Sequence, residues 1–215
     1  MKGSPAMPTS TIPDFINNVR RLPQGLVLVV GPEKSGKTNT MMLIQSAVSK
    51  RQYGKYFSFC NKYPNKISCI RPFEAYKPVV DVEDESTEAE EQFENQQVAN
   101  WLRRAKSMVF APGTDAVFID NIDDQPLALV PLAIDAAFNG TLVIASVKAK
   151  NAEAAVVKLR ETAEAATMHG SPITSALKSI IVQNSVLDPD TGDTRIDAEV
   201  VPVDDDFRDD IAAYD

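Results

Sequence analysis

Apolar residues follow two alternating rhythms along this chain. Four short runs, 25–30 (GLVLVV), 56–60 (YFSFC), 115–120 (DAVFID) and 141–146 (TLVIAS), are strand-sized and nearly continuous in hydrophobicity. Such runs are expected of strands buried on both faces. Between them lie stretches with apolar residues three and four apart, the spacing of a helix with one buried side. These are 39–51, with Met41, Leu43, Ile44 and Val48 inward; 83–107, with Phe93, Val98, Trp101 and Leu102; 126–138; and the alanine-rich 151–166. Asp14 caps a predicted short helix over 15–21 ahead of Pro23. Pro131 predicts a bend in the fourth helix. Ser171-Pro172 opens a further helix to about Lys178. Residues 61–78 are broken by prolines, with one candidate strand at 67–70. Residues 179–187 and 195–203 read as an antiparallel hairpin across DPDTGD. The pattern predicts an α/β fold: a mostly parallel sheet, helices on both faces, and a C-terminal antiparallel hairpin. The expected division is a flexible lead-in with a short helix (1–23), one α/β domain (24–203) and an acidic tail (204–215).

The junction between the first strand and its helix carries the clearest chemistry. Residues 31–38 read GPEKSGKT, so strand, G-x-x-x-x-G-K-[ST] and helix follow in order. This is the context of a phosphate-binding P-loop. Glycines let successive backbone N–H groups turn toward phosphate oxygens, and the helix N-terminus adds partial positive charge. The candidate nucleotide-binding residues are Gly31, Pro32, Glu33, Lys34, Ser35, Gly36, Lys37, Thr38 and Asn39. Lys37 is expected on the β- and γ-phosphates and the Thr38 hydroxyl on Mg²⁺, which makes ATP and magnesium the expected ligands.

The second half of a phosphate site should lie at the carboxyl ends of neighbouring parallel strands. Asp120 ends such a strand and has the character of a Walker-B carboxylate, a second expected magnesium ligand beside Thr38. Asn121 follows where many ATPases place a glutamate. An asparagine orients a water but cannot take its proton. Lys37, Asp120 and Asn121 are thus the candidate catalytic set. Asp123 and Asp124 are read as a helix cap and first-turn acid ahead of Pro126. Ser146 closes the next strand as a candidate γ-phosphate sensor, with Lys148 just beyond. His169, the single histidine, is read as a loop residue rather than a base.

Charge narrows the partners. The net charge is −8, with acidic runs at 81–94 and 204–210, which argues against a broad nucleic-acid-binding surface. Those runs are read as solvated faces and a mobile loop or tail rather than metal sites. No apolar run is long enough to span a membrane, and residues 1–10 lack the apolar core of a signal peptide. Two cysteines, Cys60 and Cys69, suggest neither a disulfide framework nor a metal motif. A cytoplasmic location is expected.

The order of elements also resembles a known family. The P-loop segment through Met42 looks like the Walker-A segment of the PilT-like ATPases of type IV pili and type II and type IV secretion. Residues 93–124, FENQQVANWLRRAKSMVFAPGTDAVFIDNIDD, are similar to that family's helix, proline turn and Walker-B strand. Residues 128–152, ALVPLAIDAAFNGTLVIASVKAKNA, match its helix, glycine turn, strand and histidine-containing box. Residues 175–202 resemble its terminal helix and hairpin. The resemblance implies a RecA-like P-loop NTPase core, nucleotide, and a hexameric ring working on pilus, secretion or DNA-transport machinery. Several family positions are filled differently. The Walker-B glutamate falls on Asn121 and the glycine before it on Asp120, and the box histidines fall on Thr141 and Lys148. The region of the family's acidic box, 59–64, has no carboxylate, and the family's N-terminal domain has no room in the first 24 residues.

Three readings follow. The first is an ATPase of this type, reduced to its nucleotide-binding core and working as a ring on a secretion, pilus or packaging machine, with weak or absent hydrolysis alone. By itself it is expected to be a monomer or weak oligomer, and a ring only with nucleotide, a larger partner or high concentration. The second is a degenerate nucleotide-binding subunit, structural or regulatory, of a secretion, pilus or packaging machine. The third is an unrelated P-loop kinase, which would need an acceptor site and an arginine-rich lid for which the sequence offers no clear candidate.

Overall fold

The computed structural model describes residues 12–19, 21–49, 55–60, 70–74, 88–166, 173–187 and 194–212. Cys69, His169, residues 188–193 and the first half of the acidic stretch 81–94 (81–87) lie outside them. Strands β1 (Gly25–Val30), β2 (Lys55–Cys60), β3 (Ile70–Glu74), β4 (Thr114–Ile119), β5 (Leu142–Val147), β6 (Leu177–Leu187) and β7 (Thr194–Pro202) form one sheet in the order β3-β2-β4-β5-β1-β6-β7. All neighbouring pairs are parallel except β6 with β7, which closes the edge antiparallel. This is the expected mostly parallel sheet with a C-terminal hairpin.

The strands read as unbroken apolar runs because both faces are covered, and the pleat sorts their residues by parity. Leu26, Leu28 and Val30 of β1, Val117 and Ile119 of β4, and Val143, Ala145 and Val147 of β5 join one buried cluster. That face is covered by α3 (Glu88–Val109), α4 (Leu129–Phe138), α5 (Ala152–Ala165), the single turn α6 (Ile173–Ala176) and α7 (Asp205–Ala212). The intervening Val27, Val29, Ala116, Phe118, Leu142 and Ile144 join a second cluster. It lies under α1 (Ile12–Val19) and α2 (Lys37–Val48), through Phe15, Val19, Met41, Ile44 and Val48.

Several expectations need correction. The segment from 204 is not simply a solvated acidic tail. It carries α7, whose Phe207 and Ile211 are buried in the first cluster four residues apart, with the carboxylates on the opposite side. Asp204 accepts the backbone N–H of Phe207 at 2.9 Å, capping that helix. Pro131 does not bend α4: it sits in the first turn, where a missing N–H costs nothing. Leu43 and Phe93, expected inward, are exposed. The helix expected through Lys178 stops at Ala176, because β6 begins at Leu177 to pair with Leu26. Of the candidate strand at 67–70, residues 67–69 lie outside the described residues, and β3 runs from Ile70 to Glu74.

Candidate nucleotide site

Parity brings the site together. Gly31 ends β1 one step past Val30, on the α2 side of the sheet, and its N–H donates to the Val147 carbonyl at 3.3 Å. A side chain is excluded there: a Cβ on Gly31 would come within 2.3 Å of the Gln183 carbonyl and 2.5 Å of Ser35 Oγ. Gly36 turns the chain into α2 with φ 85°, a left-handed conformation that favours glycine. Lys37 is its first helical residue and is buried. Lys37 Nζ donates to the Gly31 carbonyl at 2.8 Å and the Pro32 carbonyl at 2.6 Å, so the loop folds around its own cation. Burial pushes the Lys37 ammonium below its ordinary pKa, and the fields of Asp123 and Asp120 partly oppose that shift. Ser35 Oγ is fully buried in the loop with no hydrogen-bond partner among the described residues.

The second half comes from β4 and β5. In β5, Leu142, Ile144 and Ser146 occupy one face by parity, so Ser146 is a hydroxyl where the pattern calls for a third apolar residue. It is fully buried and donates to Asp120 Oδ1 at 2.7 Å. Its Oγ also accepts the backbone N–H of Asn121 at 2.7 Å. Asp120 Oδ2 in turn accepts from Thr38 Oγ1 at 3.3 Å, across 82 positions of sequence. Ser146 therefore positions Asp120 and Asn121 from below. Neither Ser146, expected as a phosphate sensor, nor Asp120 is among the residues that line the cleft; both lie beneath it, and Asp120 reaches it through Thr38.

The cleft above the loop has a volume of about 550 Å³ and is lined by residues 33–39, Asn121 and Lys148. Of the sequence-predicted nucleotide residues, Gly31 lies buried beneath it and Pro32 is exposed outside the lining; the others line it. Lys148 reaches over from the end of β5. Its Nζ lies 2.9 Å from Asp124 and 3.3 Å from Glu33 of the loop. The hydrogen bonds to Asp124 and then Glu33 raise its pKa above the ordinary lysine value. Asp123 and Asp124 lie in a 3-10 turn, Ile122–Asp124, rather than capping α4. Asp123 turns away to Lys158 of α5 at 2.7 Å and is almost fully buried. Each of these carboxylates therefore has a partner: Asp120 the two hydroxyls, Asp123 Lys158, and Asp124 and Glu33 Lys148.

One feature of the site has no simple sequence signal. Lys34 (φ 60°) and Asn121 (φ 49°) are the non-glycine residues with left-handed backbone among those described. That conformation costs an ordinary L-residue roughly 1–2 kcal/mol and concentrates at functional sites. Both face the same cleft. Asparagine, which tolerates the conformation, was the only hint.

A loop of backbone donors at a helix N-terminus, a buried lysine, and a hydroxyl paired with a carboxylate can bind a polyphosphate. The oxygen set of Thr38 and Asp120 also suits Mg²⁺, which takes one or two carboxylates plus phosphates and water rather than an all-protein cage. Among the described residues there is no cluster of three or more His, Cys, Asp or Glu side chains that would form such a cage. No helix among them is long and apolar enough to cross a membrane.

No protein-family model matches this sequence, and no curated protein matches it. Solved structures do share its fold. The pilus retraction motor PilT with bound ADP superposes with a TM-score of 0.66 at 17% identity, covering 94% of this chain and 54% of that one. The Legionella pneumophila ATPase DotB gives 0.58 at 17% identity, covering 94% and 52%. The VirB11 ATPase of the Brucella suis type IV secretion system, in complex with sulphate, gives 0.57 at 15%, covering 93% and 54%. The chain thus shares the fold of these proteins and spans about half the length of these structures.

Proposed function

We propose that this chain binds Mg·ATP and Mg·ADP at the cleft lined by the P-loop, Asn121 and Lys148, as an ATPase-type core related to the motors of pili and secretion systems. One observation carries the reading: Thr38 and Asp120, far apart in sequence, meet at 3.3 Å directly beside a glycine loop that opens a helix. The ADP bound to PilT supports a nucleotide as the ligand. Thr38 and Asp120 would hold magnesium, which when bound neutralises charge on the β- and γ-phosphates. The loop N–H groups and Lys37 hold the phosphates. Lys148 is the cation that meets the terminal phosphate, in competition with Asp124 and Glu33.

Hydrolysis by the chain alone should be slow. Asn121 orients a water but takes no proton, and the nearby carboxylates are engaged by hydroxyls or lysines. An arginine supplied from another subunit or domain would add roughly 10³–10⁵ in rate. Phosphate release below about one per second from the purified chain fits this reading; faster turnover contradicts it. The same engaged carboxylates favour the second reading, a nucleotide-binding subunit that regulates or scaffolds a secretion, pilus or packaging machine. Self-association is proposed to be weak, because like subunits that each carry a net charge of −8 repel one another at short range. Sedimentation at micromolar concentration, with and without Mg·ATP analogue, tests it, and a stable nucleotide-free hexamer contradicts it.

A further inference from the structure

The P-loop accounts for the phosphates of a nucleotide but leaves open what meets its base. The topology supplies a direction. Asp120, Asn121 and Lys148 come from the ends of β4 and β5, which lie on one side of β1. On the proposed function above, the terminal phosphate points to that side. The phosphate chain then crosses the start of α2, and the nucleoside leaves on the other side of β1, where the β6–β7 hairpin stands.

One side chain there is out of place for a solvent-facing hairpin. In β7, Val200 and Ala198 pack against the cluster beneath α1 and α2. Ile196 continues the same row by parity but runs out from under that cover and is 44% exposed. It lies against the loop: its Cδ1 is 3.3 Å from where a Cβ on Gly36 would sit. Its cross-strand partner is the exposed Ser185, while Arg195 and Asp197, on the opposite face by parity, pair with each other at 3.0 Å. An uncovered β-branched side chain beside a polyphosphate loop, on the nucleoside side, offers a flat apolar contact and no hydrogen bond.

We infer that Ile196 forms one wall of the base subsite, taking the planar heteroaromatic base of the bound nucleotide by apolar contact. The inference rests on the phosphate reading but is separable from it, because inorganic tripolyphosphate has the phosphates and no base. Calorimetry should compare Mg·ATP with Mg·tripolyphosphate for the wild type, Ile196→Ser and Ile196→Val, with thermal unfolding to confirm that each variant is folded. Ile196→Ser should weaken ATP about tenfold, the order expected from losing a few tens of Å² of apolar contact. Tripolyphosphate affinity should be unchanged, and Ile196→Val should retain most of the ATP affinity. Equal losses for both ligands would show that Ile196 only supports the loop, and an unaltered ATP affinity would show no contact. Either result overturns the base wall and leaves the phosphate site standing. A wild-type chain that binds neither ligand overturns both.

Discussion

Ser146 holds Asp120 by a 2.7 Å hydrogen bond from its hydroxyl, and both groups sit at the ends of adjacent parallel strands. The same oxygen receives the Asn121 N–H, so one buried hydroxyl fixes two successive residues of the site. Ser146→Ala would leave the Asn121 donor unpaired and remove one of the bonds to Asp120. Each unmet buried polar group costs roughly 1–3 kcal/mol. Chemical denaturation should show a loss of about that size, accompanied by weaker magnesium-dependent nucleotide binding. An unchanged unfolding midpoint would mean that the bond contributes nothing.

Thr38 and Asp120 should matter only when magnesium is present. Asp120→Asn keeps the shape and removes the charge. Its ATP affinity should fall about tenfold in magnesium and change little in EDTA, as read by calorimetry. An equal fall in both conditions would place Asp120 in loop support rather than beside the metal.

Lys148 should distinguish ATP from ADP. Its ammonium is shared between Asp124 and Glu33 and lines the cleft beyond the loop. Lys148→Ala should weaken ATP about three- to tenfold, a modest effect because the side chain is partly exposed, and leave ADP unaltered. Parallel losses for both nucleotides would remove Lys148 from the terminal phosphate.

Binding should also depend on pH in the alkaline range. Burial lowers the Lys37 pKa in the free protein, and bound phosphate favours the charged form again. Between the lowered value and the bound value, binding takes up a proton, so ATP affinity should fall as pH rises. The contribution to folding has the opposite sense: the unfolded chain binds more protons in that window, and stability from this group rises with pH. Lys148, with its raised pKa, stays charged there. Calorimetry in two alkaline buffers of different ionisation heat reads the uptake directly; identical heats would contradict it.

The acidic C-terminal helix should be part of the folded core. Ile211→Ala removes a side chain that is 1% exposed, and should cost about 2 kcal/mol or more in denaturant unfolding. A change within about 0.5 kcal/mol, typical of surface positions, would restore the reading of a solvated tail.

Much of this architecture was legible in the chain itself. Runs such as GLVLVV and TLVIAS are long enough, and apolar enough on both parities, to announce buried parallel strands. The GPEKSGKT loop fixes its own surroundings. What escaped the sequence was pairing. In α7, two large apolar residues among four aspartates gave too weak a signal against the charge, although Phe207 and Ile211 are four apart. Ser146 looked like a cleft residue because strand parity says which face a side chain takes, not what lies beyond it. Asp123 and Asp124 looked like a helix cap, and only the fold brings Lys148 and Lys158 to them.

The central claim is that the loop around Lys37 holds a nucleotide's phosphates. The most direct measurement is the affinity of the wild type and Lys37→Ala for Mg·ATP, side by side in calorimetry, with folding of both checked by circular dichroism. The wild type should bind, and the variant should bind about ten- to hundredfold more weakly, the loss of a charge-assisted bond to phosphate worth roughly 1.5–3 kcal/mol. No binding by the wild type at millimolar nucleotide, or equal affinity in the folded variant, would contradict the claim.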